Sequence, residues 1–263
     1  MSPVQFGLTP EQLDFQREVR ELADREFAPR AAHWDQAEQY PWDNVKILLD
    51  HGLMGLTIPP EYGGRGRTLF DAILAVEQVA RACGNTARIV VEANMGAVGA
   101  IVRYGTEEQK RYYLPIVARE GDKPAIAISE PEAGSAATEM RTTARLEGDS
   151  YVLNGQKRWI TGAGASRIHV VFARMNDRPG AKGIGGILVE KGTPGFRIGK
   201  RWPMMGIRGM PEAEIHLENC VVPRANALVT EDGFKKLMTA YNAQRVGAST
   251  VALGIAQGAF EYA

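Results

Sequence analysis

The sequence contains little cysteine and no surplus of either charge. Its 263 residues include only Cys83 and Cys220, both in apolar surroundings, so disulfide bonds do not organise the fold and a cytoplasmic protein is predicted. Lysine and arginine together number 31, as do aspartate and glutamate, which gives a formal net charge of zero. A protein without a basic surplus has little to hold a phosphate backbone, and nucleic acid is therefore excluded as a partner.

Metal ligands and long apolar runs are also scarce. The four histidines are scattered without the spacing of a zinc site, so no metal site is predicted. No segment approaches the roughly 18 consecutive apolar residues of a membrane span. The hydrophobic fraction of 44% and the charged fraction of 24% are those of an ordinary globular protein, and function must be sought in local motifs.

Residues 1–121 have the pattern of an all-helical domain. Thr9, Thr68 and Thr106 each stand three residues before a Gln or Asp, which is the capping-box spacing of a helix start. The segment from Thr86 to Arg103 is apolar all round, which predicts one continuous buried helix.

Residues 122–230 have the pattern of strands, and residues 231–263 return to helix. Asn154-Gly155 between two strand-like runs predicts a hairpin turn. The fold class is therefore α+β, and the glycine pairs near Gly162 and Gly183 lack the βαβ context of a Rossmann site. The last helix stays apolar to Ala263 without a stop signal, so we expect a longer parent chain or another chain to cover it.

Four stretches carry candidate chemistry, and each has an ordinary alternative. Ala127–Ala137 is a small, hydroxyl-rich turn whose N–H groups suit a polar ligand, or a plain connection. Arg158–Gly164 offers a tryptophan to flank a planar ring, or one packed on the sheet core. Met205–Glu212 is a glycine-rich stretch or a solvated turn, and Tyr241–Arg245 puts a tyrosine and an arginine on one helix face.

In this order and spacing, the motifs resemble the acyl-CoA dehydrogenase family over the whole chain. The matching residues are Glu61-Tyr62-Gly63-Gly64, Ser129-Glu130-Pro131 with Ala133-Gly134-Ser135, Trp159-Ile160-Thr161, and Met205-Gly206 with Arg208-Gly209. The resemblance implies an N-terminal helical domain, a middle β-barrel domain and the start of a C-terminal helical bundle. It also implies FAD bound without a Rossmann fold, an acyl-CoA substrate and a homotetramer.

The resemblance assigns residues to the cofactor and the substrate. Ser129 is expected at the flavin ring edge, Trp159 beside the ring and Thr161 near flavin N5, where short hydroxyls tune the flavin without adding charge. Ser135 is expected at the coenzyme A arm, with Asn242 and Arg245 on the substrate side. The full cofactor-binding set implied is Ile126, Ile128, Ser129, Gly134, Ser135, Trp159, Ile160 and Thr161.

The sequence departs from the family where the reaction needs a base. Family members place a carboxylate base late in the bundle or at the position of Gln244, and an amide cannot accept the α-proton. Arg88 enters the helix that lines the acyl pocket in the family. It is expected either to clamp an anionic acyl end or to pair with Glu92 one turn on. Ala136 and Glu212 also replace residues usual in the family.

Arg88, Gln244 and Ala136 together resemble a branch of the family that has lost the base. That branch releases sulfite from a short sulfinoacyl-CoA thioester, and here Arg88 and Gln244 are its predicted catalytic residues. Arg88, Ser135, Asn242 and Arg245 are its predicted substrate-binding residues. Two alternatives stay open: α,β-dehydrogenation with the base in a missing C-terminal part, and a non-catalytic fragment or subunit.

Overall fold

The computed structural model describes residues 7–263. Seven α-helices come first in this part of the chain, and a π-helical turn at Ala23–Phe27 joins the first two. Their bounds are Pro10–Leu22 (α1), Ala28–Ala37 (α2), Trp42–Asp50 (α3), Leu69–Ala82 (α4), Gly84–Asn94 (α5), Ala97–Tyr104 (α6) and Glu107–Glu120 (α7).

The predicted capping boxes are confirmed. The hydroxyls of Thr9, Thr68 and Thr106 each accept a hydrogen bond from the third residue of α1, α4 and α7, whose side chain bonds back to the cap. Each box satisfies two N–H groups that a helix start leaves without partners, so these three helices begin where the sequence indicates.

The prediction of one helix from Thr86 to Arg103 is wrong, because the chain breaks at Met95 and Gly96. Gly96 has φ +55° and ψ −106°, a conformation that side chains rarely adopt. A Cβ at Gly96 would lie 1.7 Å from Gln244 Oε1. Both α5 and α6 are buried, so the apolar pattern continues through the break and conceals it.

Eight strands follow within the described residues and form one mixed sheet. They are Ala125–Ala127 (β1), Thr143–Glu147 (β2), Ser150–Thr161 (β3), Ile168–Met175 (β4), Ile184–Glu190 (β5), Phe196–Trp202 (β6), Glu212–Pro223 (β7) and Ala227–Val229 (β8). The order is β6-β7-β3-β2-β4-β5-β8, with β1 beside β4. Because β6 and β8 are edges that do not pair with each other, the sheet is open and the predicted barrel is too strict a description.

The prediction of a hairpin at Asn154-Gly155 is also wrong. Both residues lie inside β3, and the turn to β2 is Gly148-Asp149. Asn154 Oδ1 accepts a 2.8 Å hydrogen bond from the Asn219 amide, and a Cβ at Gly155 would lie 2.4 Å from Thr142 Oγ1. The glycine therefore serves a close approach at a bulge, which the dipeptide alone cannot distinguish from a turn.

The sheet buries both faces. Along β4, Val170 and Phe172 belong to the core shared with the helices, whereas Val171 and Ala173 belong to a second core inside the β domain. This alternation is the two-residue period of a strand, and it fixes the sheet against α5 and α8.

The last helix, Gly233–Tyr262 (α8), lies across α4, α5 and α6. Glycines permit the close contact: a Cβ at Gly254 would lie 2.5 Å from the Glu77 carbonyl oxygen. Its outer face exposes apolar side chains, among them Val246, Leu253 and Phe260. Across residues 7–263, no helix combines the length and hydropathy of a membrane span.

Candidate active site

The predicted site residues line two adjoining cavities where the β domain meets α5 and α8. The narrower cavity, of about 80 Å³, and a wider cleft of about 730 Å³ share Ile128, Ser129 and Tyr241. The narrow cavity contains Arg88, Ile126, Ile128, Ser129, Trp159, Ile160, Thr161 and Gln244. The wide cleft adds Gly134, Ser135, Asn242 and Arg245, so all twelve predicted residues lie in one connected region.

Trp159 is presented to the cavity by a bulge in β3. Its backbone has φ +60°, a sparsely populated conformation for an aromatic residue, at a register shift against β7. The indole is 50% exposed and lies against Trp202 with ring centroids 4.5 Å apart. A strained, exposed tryptophan is not part of the sheet core, so the arrangement favours a planar ligand over the packing alternative.

A buried ion pair holds the segment that carries Ser129. Lys157 Nζ donates to the Ile128 carbonyl at 3.0 Å and to Glu130 Oε1 at 2.8 Å. The Arg158 amide donates to the Ser129 carbonyl at 2.8 Å. Burial, opposed by the charge of Glu130, lowers the pKa of Lys157 to about 8.

Lys157 and Glu130 were not predicted as site residues. Both are almost fully buried, and the Glu130 carboxylate also accepts from the amides of Arg141 and Thr142. A signal did exist in the sequence: Lys157 follows Tyr151 and Leu153 in the inward phase of β3, and a buried lysine requires an anionic partner. The sequence could not say which of several glutamates that partner was.

Arg88 forms the ion pair with Glu92 that was one of its two predicted roles, and it also lines the narrow cavity. Its Nε lies 3.2 Å from Glu92 Oε1. The other carboxylate oxygen of Glu92 is bound by Lys123, whose side chain is 1% exposed. One anion thus serves two cations, and the group of three keeps one positive charge. The terminal nitrogens of Arg88 make no protein hydrogen bond among residues 7–263 and face the cavity.

Gln244 places its amide beside Arg88. The residue is 6% exposed, on the buried face of α8, and its Oε1 lies against the α5–α6 break at Gly96. Among the described residues, its side chain has no hydrogen-bond partner, although it lines the cavity. The amide is therefore free to bond a ligand there.

A third cavity, of about 270 Å³, extends the site past Arg88. Arg88 and Thr161 line it together with Glu212, whose Oε1 accepts a hydrogen bond from Thr161 Oγ1. Burial, assisted by the nearby Glu92 charge and opposed by Thr161 and Arg88, raises the pKa of Glu212 to about 7. Sequence reasoning noted Glu212 only as a departure and did not place it in the site.

Asn242 and Arg245 lie at the mouth of the wide cleft. Arg245 Nη1 donates to Asn242 Oδ1 at 2.7 Å, and its guanidinium lies 5.4 Å from the centre of the Tyr241 ring. The arginine is thereby oriented on the surface of α8 beside Ser135, in a position to meet a charged group.

The amino-acid sequence matches two domain descriptions in turn. Residues 9–121 match the acyl-CoA dehydrogenase N-terminal domain, and residues 125–220 match the acyl-CoA dehydrogenase middle domain. The chain belongs to the acyl-CoA dehydrogenase family. The resemblance inferred from the ordered motifs is thereby confirmed, as is the helical, β and helical arrangement.

The chain is also similar to individual proteins of known name or structure. A 3-sulfinopropanoyl-CoA desulfinase of Variovorax paradoxus is 52% identical over 97% of this chain and 66% of its own length. Butyryl-CoA dehydrogenase of Megasphaera elsdenii superposes with a TM-score of 0.91 at 32% identity, over 98% of this chain and 69% of that chain. The chain spans about two thirds of the length of the curated relatives it matches.

FAD is the cofactor that this family implies. A glutaryl-CoA dehydrogenase of Mycobacterium smegmatis, solved with FADH2, superposes with a TM-score of 0.89 at 28% identity, over 97% of this chain and 64% of that chain. In the present structure, Ser129 and Thr161 line one cavity together with the half-exposed Trp159. Hydroxyls at the edge of an aromatic wall suit the polar rim and flat face of a flavin, so the residues fit the group.

Proposed function

We propose that the protein carrying this chain binds FAD and releases sulfite from 3-sulfinopropanoyl-CoA, leaving propanoyl-CoA. The observation that carries this proposal is the placement of Arg88 and Gln244 in one cavity. The guanidinium of Arg88 can bind a negatively charged acyl end, and the amide of Gln244 occupies the position where some family members carry their catalytic base. The 52% identity to a desulfinase supports the same substrate.

Arg88 would bind the sulfinate. A planar guanidinium matches a two-oxygen anion with two parallel hydrogen bonds, which a lysine cannot supply. Because Lys123 shares the charge of Glu92, the Arg88–Glu92 ion pair orients the guanidinium without cancelling the positive charge of the site.

Gln244 would prevent the oxidation typical of the family. Removal of an α-proton requires a base within hydrogen-bond reach, and an uncharged amide cannot accept that proton. The side chain of Gln244 still offers a donor and an acceptor to the thioester end. Substrate is thus held without being oxidised.

The proposed reaction is redox-neutral. The bond between the β-carbon and sulfur breaks with its electron pair left on carbon, where a proton from water forms the new C–H bond. The hydroxide of the same water adds to the departing sulfur dioxide and gives hydrogensulfite. Ser129, Thr161 and Trp159 would hold the FAD ring. When bound, FAD supplies an electron acceptor, and the net reaction leaves FAD in its starting oxidation state.

The test begins with the chain purified in the presence of FAD and desalted. We expect flavin absorbance to remain with the protein and 3-sulfinopropanoyl-CoA to yield one sulfite per propanoyl-CoA. Flavin bleaching and dye reduction with butanoyl-CoA, without sulfite release, would instead favour the dehydrogenase alternative. A flavin-loaded chain that does neither would favour the non-catalytic alternative.

The proposal also includes the oligomeric state and the cellular location of the protein. We expect a homo-oligomer, a tetramer as the family resemblance implies, because α8 exposes Leu253 and Phe260 to solvent. We retain a cytoplasmic location, supported by Cys83 and Cys220, which are buried and unpaired.

A further inference from the structure

Glu212 is a carboxylate that the proposed reaction leaves without a role, although it lies in the same cavity as Arg88. It stands opposite Thr161 in the sheet, and Thr161 Oγ1 donates to its Oε1. The second oxygen, Oε2, has no hydrogen-bond partner among residues 7–263 and is not sealed from the cavity. No basic side chain of the described residues forms an ion pair with Glu212.

The charges around the cavity decide what Glu212 can do there. Arg88 and Lys123 carry two positive charges and Glu92 carries one negative charge. If Glu212 is ionised, the four groups sum to zero and no charge is left for an anionic ligand. If Glu212 is protonated, the sum is one positive charge, which matches one sulfinate.

Among residues 7–263, Arg88 and Glu212 are the only side chains with an acidic or basic group that line this cavity. The elements that complete the lining present thioethers, aliphatic side chains or glycine: Met204, Gly206, Ile207 and Met210 before β7, and Ala248 and Val251 on α8. The neighbouring groups that influence the ionisation of Glu212 are therefore Thr161, Glu92, Arg88 and Lys123.

We infer that Glu212 is a specificity residue: as a neutral carboxylic acid it donates a hydrogen bond to the anionic acyl end that Arg88 holds, so that binding takes up one proton. This inference rests on the proposed function for the identity of that acyl end. An ionised Glu212 would repel the anion and leave its own lone pairs facing it, which costs affinity. A pKa near 7 populates both forms close to neutral pH, where a ligand selects the protonated one.

The test is calorimetric titration of the FAD-loaded chain with 3-sulfinopropanoyl-CoA in buffers of different ionisation enthalpy. We expect uptake of close to one proton per ligand at pH 8. Because about one tenth of Glu212 is protonated at pH 8, affinity there should be about tenfold below its value at pH 6. Butanoyl-CoA is the matched ligand control, since it has the same coenzyme A phosphates and an uncharged acyl end. We expect no additional uptake with it.

Glu212→Gln is the matched variant, because the amide keeps the size and neutrality of the acid. We expect it to lose the proton uptake and to bind 3-sulfinopropanoyl-CoA at pH 8 about as tightly as the unaltered chain does at pH 6. Proton uptake that persists in Glu212→Gln, or is equal for the two ligands, would overturn the inference.

A second measurement needs no coenzyme A ligand. Infrared difference spectra over pH 5–9 should show a carboxylic acid band that is absent from Glu212→Gln, and methanesulfinate should move its titration to higher pH. An unmoved titration would also overturn the inference. Proton uptake without sulfite release would contradict the proposed function alone, whereas sulfite release without proton uptake would contradict the role of Glu212 alone.

Discussion

At the scale of single residues, Arg88 both forms an ion pair within α5 and lines the narrow cavity. Its Nε pairs with Glu92 one turn further along α5, and its terminal nitrogens face the narrow cavity. A half-buried arginine with one shared carboxylate is held in one orientation, and its terminal nitrogens stay available to a ligand.

Arg88→Lys should weaken 3-sulfinopropanoyl-CoA binding by about 10- to 100-fold, because a charge-assisted bidentate contact is replaced by a point charge. Calorimetry and sulfite release would measure the loss, with butanoyl-CoA affinity as the control for an intact pocket. A variant that keeps the full rate of sulfite release would refute the clamp.

Gln244→Glu restores a carboxylate at the position where some family members carry the base. We expect the FAD-loaded variant to bleach its flavin with butanoyl-CoA under anaerobic conditions, at a rate about 10²-fold or more above the unaltered chain. Gln244→Ala removes the amide without supplying a base and should not bleach. If Gln244→Glu and Gln244→Ala behave alike, the position does not control oxidation.

Glu212 should also make folding stability depend on pH. Its pKa is raised from 4.5 in the unfolded chain to about 7 in the folded one, so the folded state holds a proton that the unfolded state releases. The free energy of unfolding should therefore fall as pH rises from 4.5 to 7, by up to about 3 kcal/mol from this group. Urea unfolding of the unaltered chain and Glu212→Gln at several pH values isolates the effect, which is contradicted if the two curves stay parallel.

At the scale of elements, the break between α5 and α6 bears on the site. Gly96, which precedes α6, lies against the side chain of Gln244, and Gln244 lines the narrow cavity. The bulge of β3 has the corresponding effect on the other wall, where it turns Trp159 outward. Irregular points of regular elements thus form the site.

Gly96→Ala should destabilise the fold by about 2–4 kcal/mol, because its Cβ would meet Gln244 Oε1 and its backbone conformation disfavours alanine. Gly148→Ala is the control: Gly148 has a similar φ of +59°, but nothing lies within 4 Å of its Cβ. Chemical denaturation should show a loss of about 1 kcal/mol for the control. Equal losses would mean that crowding at Gln244 contributes nothing.

At the scale of the whole molecule, the candidate site lies between the β domain on one side and α5 and α8 on the other. One face of the sheet joins the helical core, and the buried face of α8 completes the cavities with Tyr241, Gln244 and Arg245. The outer face of α8 exposes the apolar side chains of Val246, Leu253 and Phe260, and exposed apolar area of this kind favours association.

Leu253→Lys should lower the average mass in light scattering, because it places a charge on the exposed apolar face of α8. Val221→Lys is the control, since Val221 is also about half exposed but lies on β7 away from that helix. The chain as it stands should scatter above the mass of one copy. A monomer at all concentrations would contradict self-association through α8.

The sequence by itself determined the order of helical and strand segments and the three helix starts marked by capping boxes. Capping boxes and alternating strands are local interactions, encoded within a few residues, and the family motifs are short segments with fixed spacing. Twelve candidate residues that line two adjoining cavities could therefore be predicted before any distance was known. The two failures, at Asn154-Gly155 and Gly96, concern glycines whose neighbours are distant in the chain.

Only the tertiary structure decided which charges share the cavity. Lys123, Glu92 and Arg88 come from two separate segments, and Glu212 reaches them across the sheet. Ion pairing and burial depend on distance in space, because desolvation and Coulomb energy change steeply over a few ångströms. The sequence thus identified an arginine and a missing base. The fold decided that this arginine shares its carboxylate partner with Lys123 and that the half-buried carboxyl of Glu212 lines the same cavity.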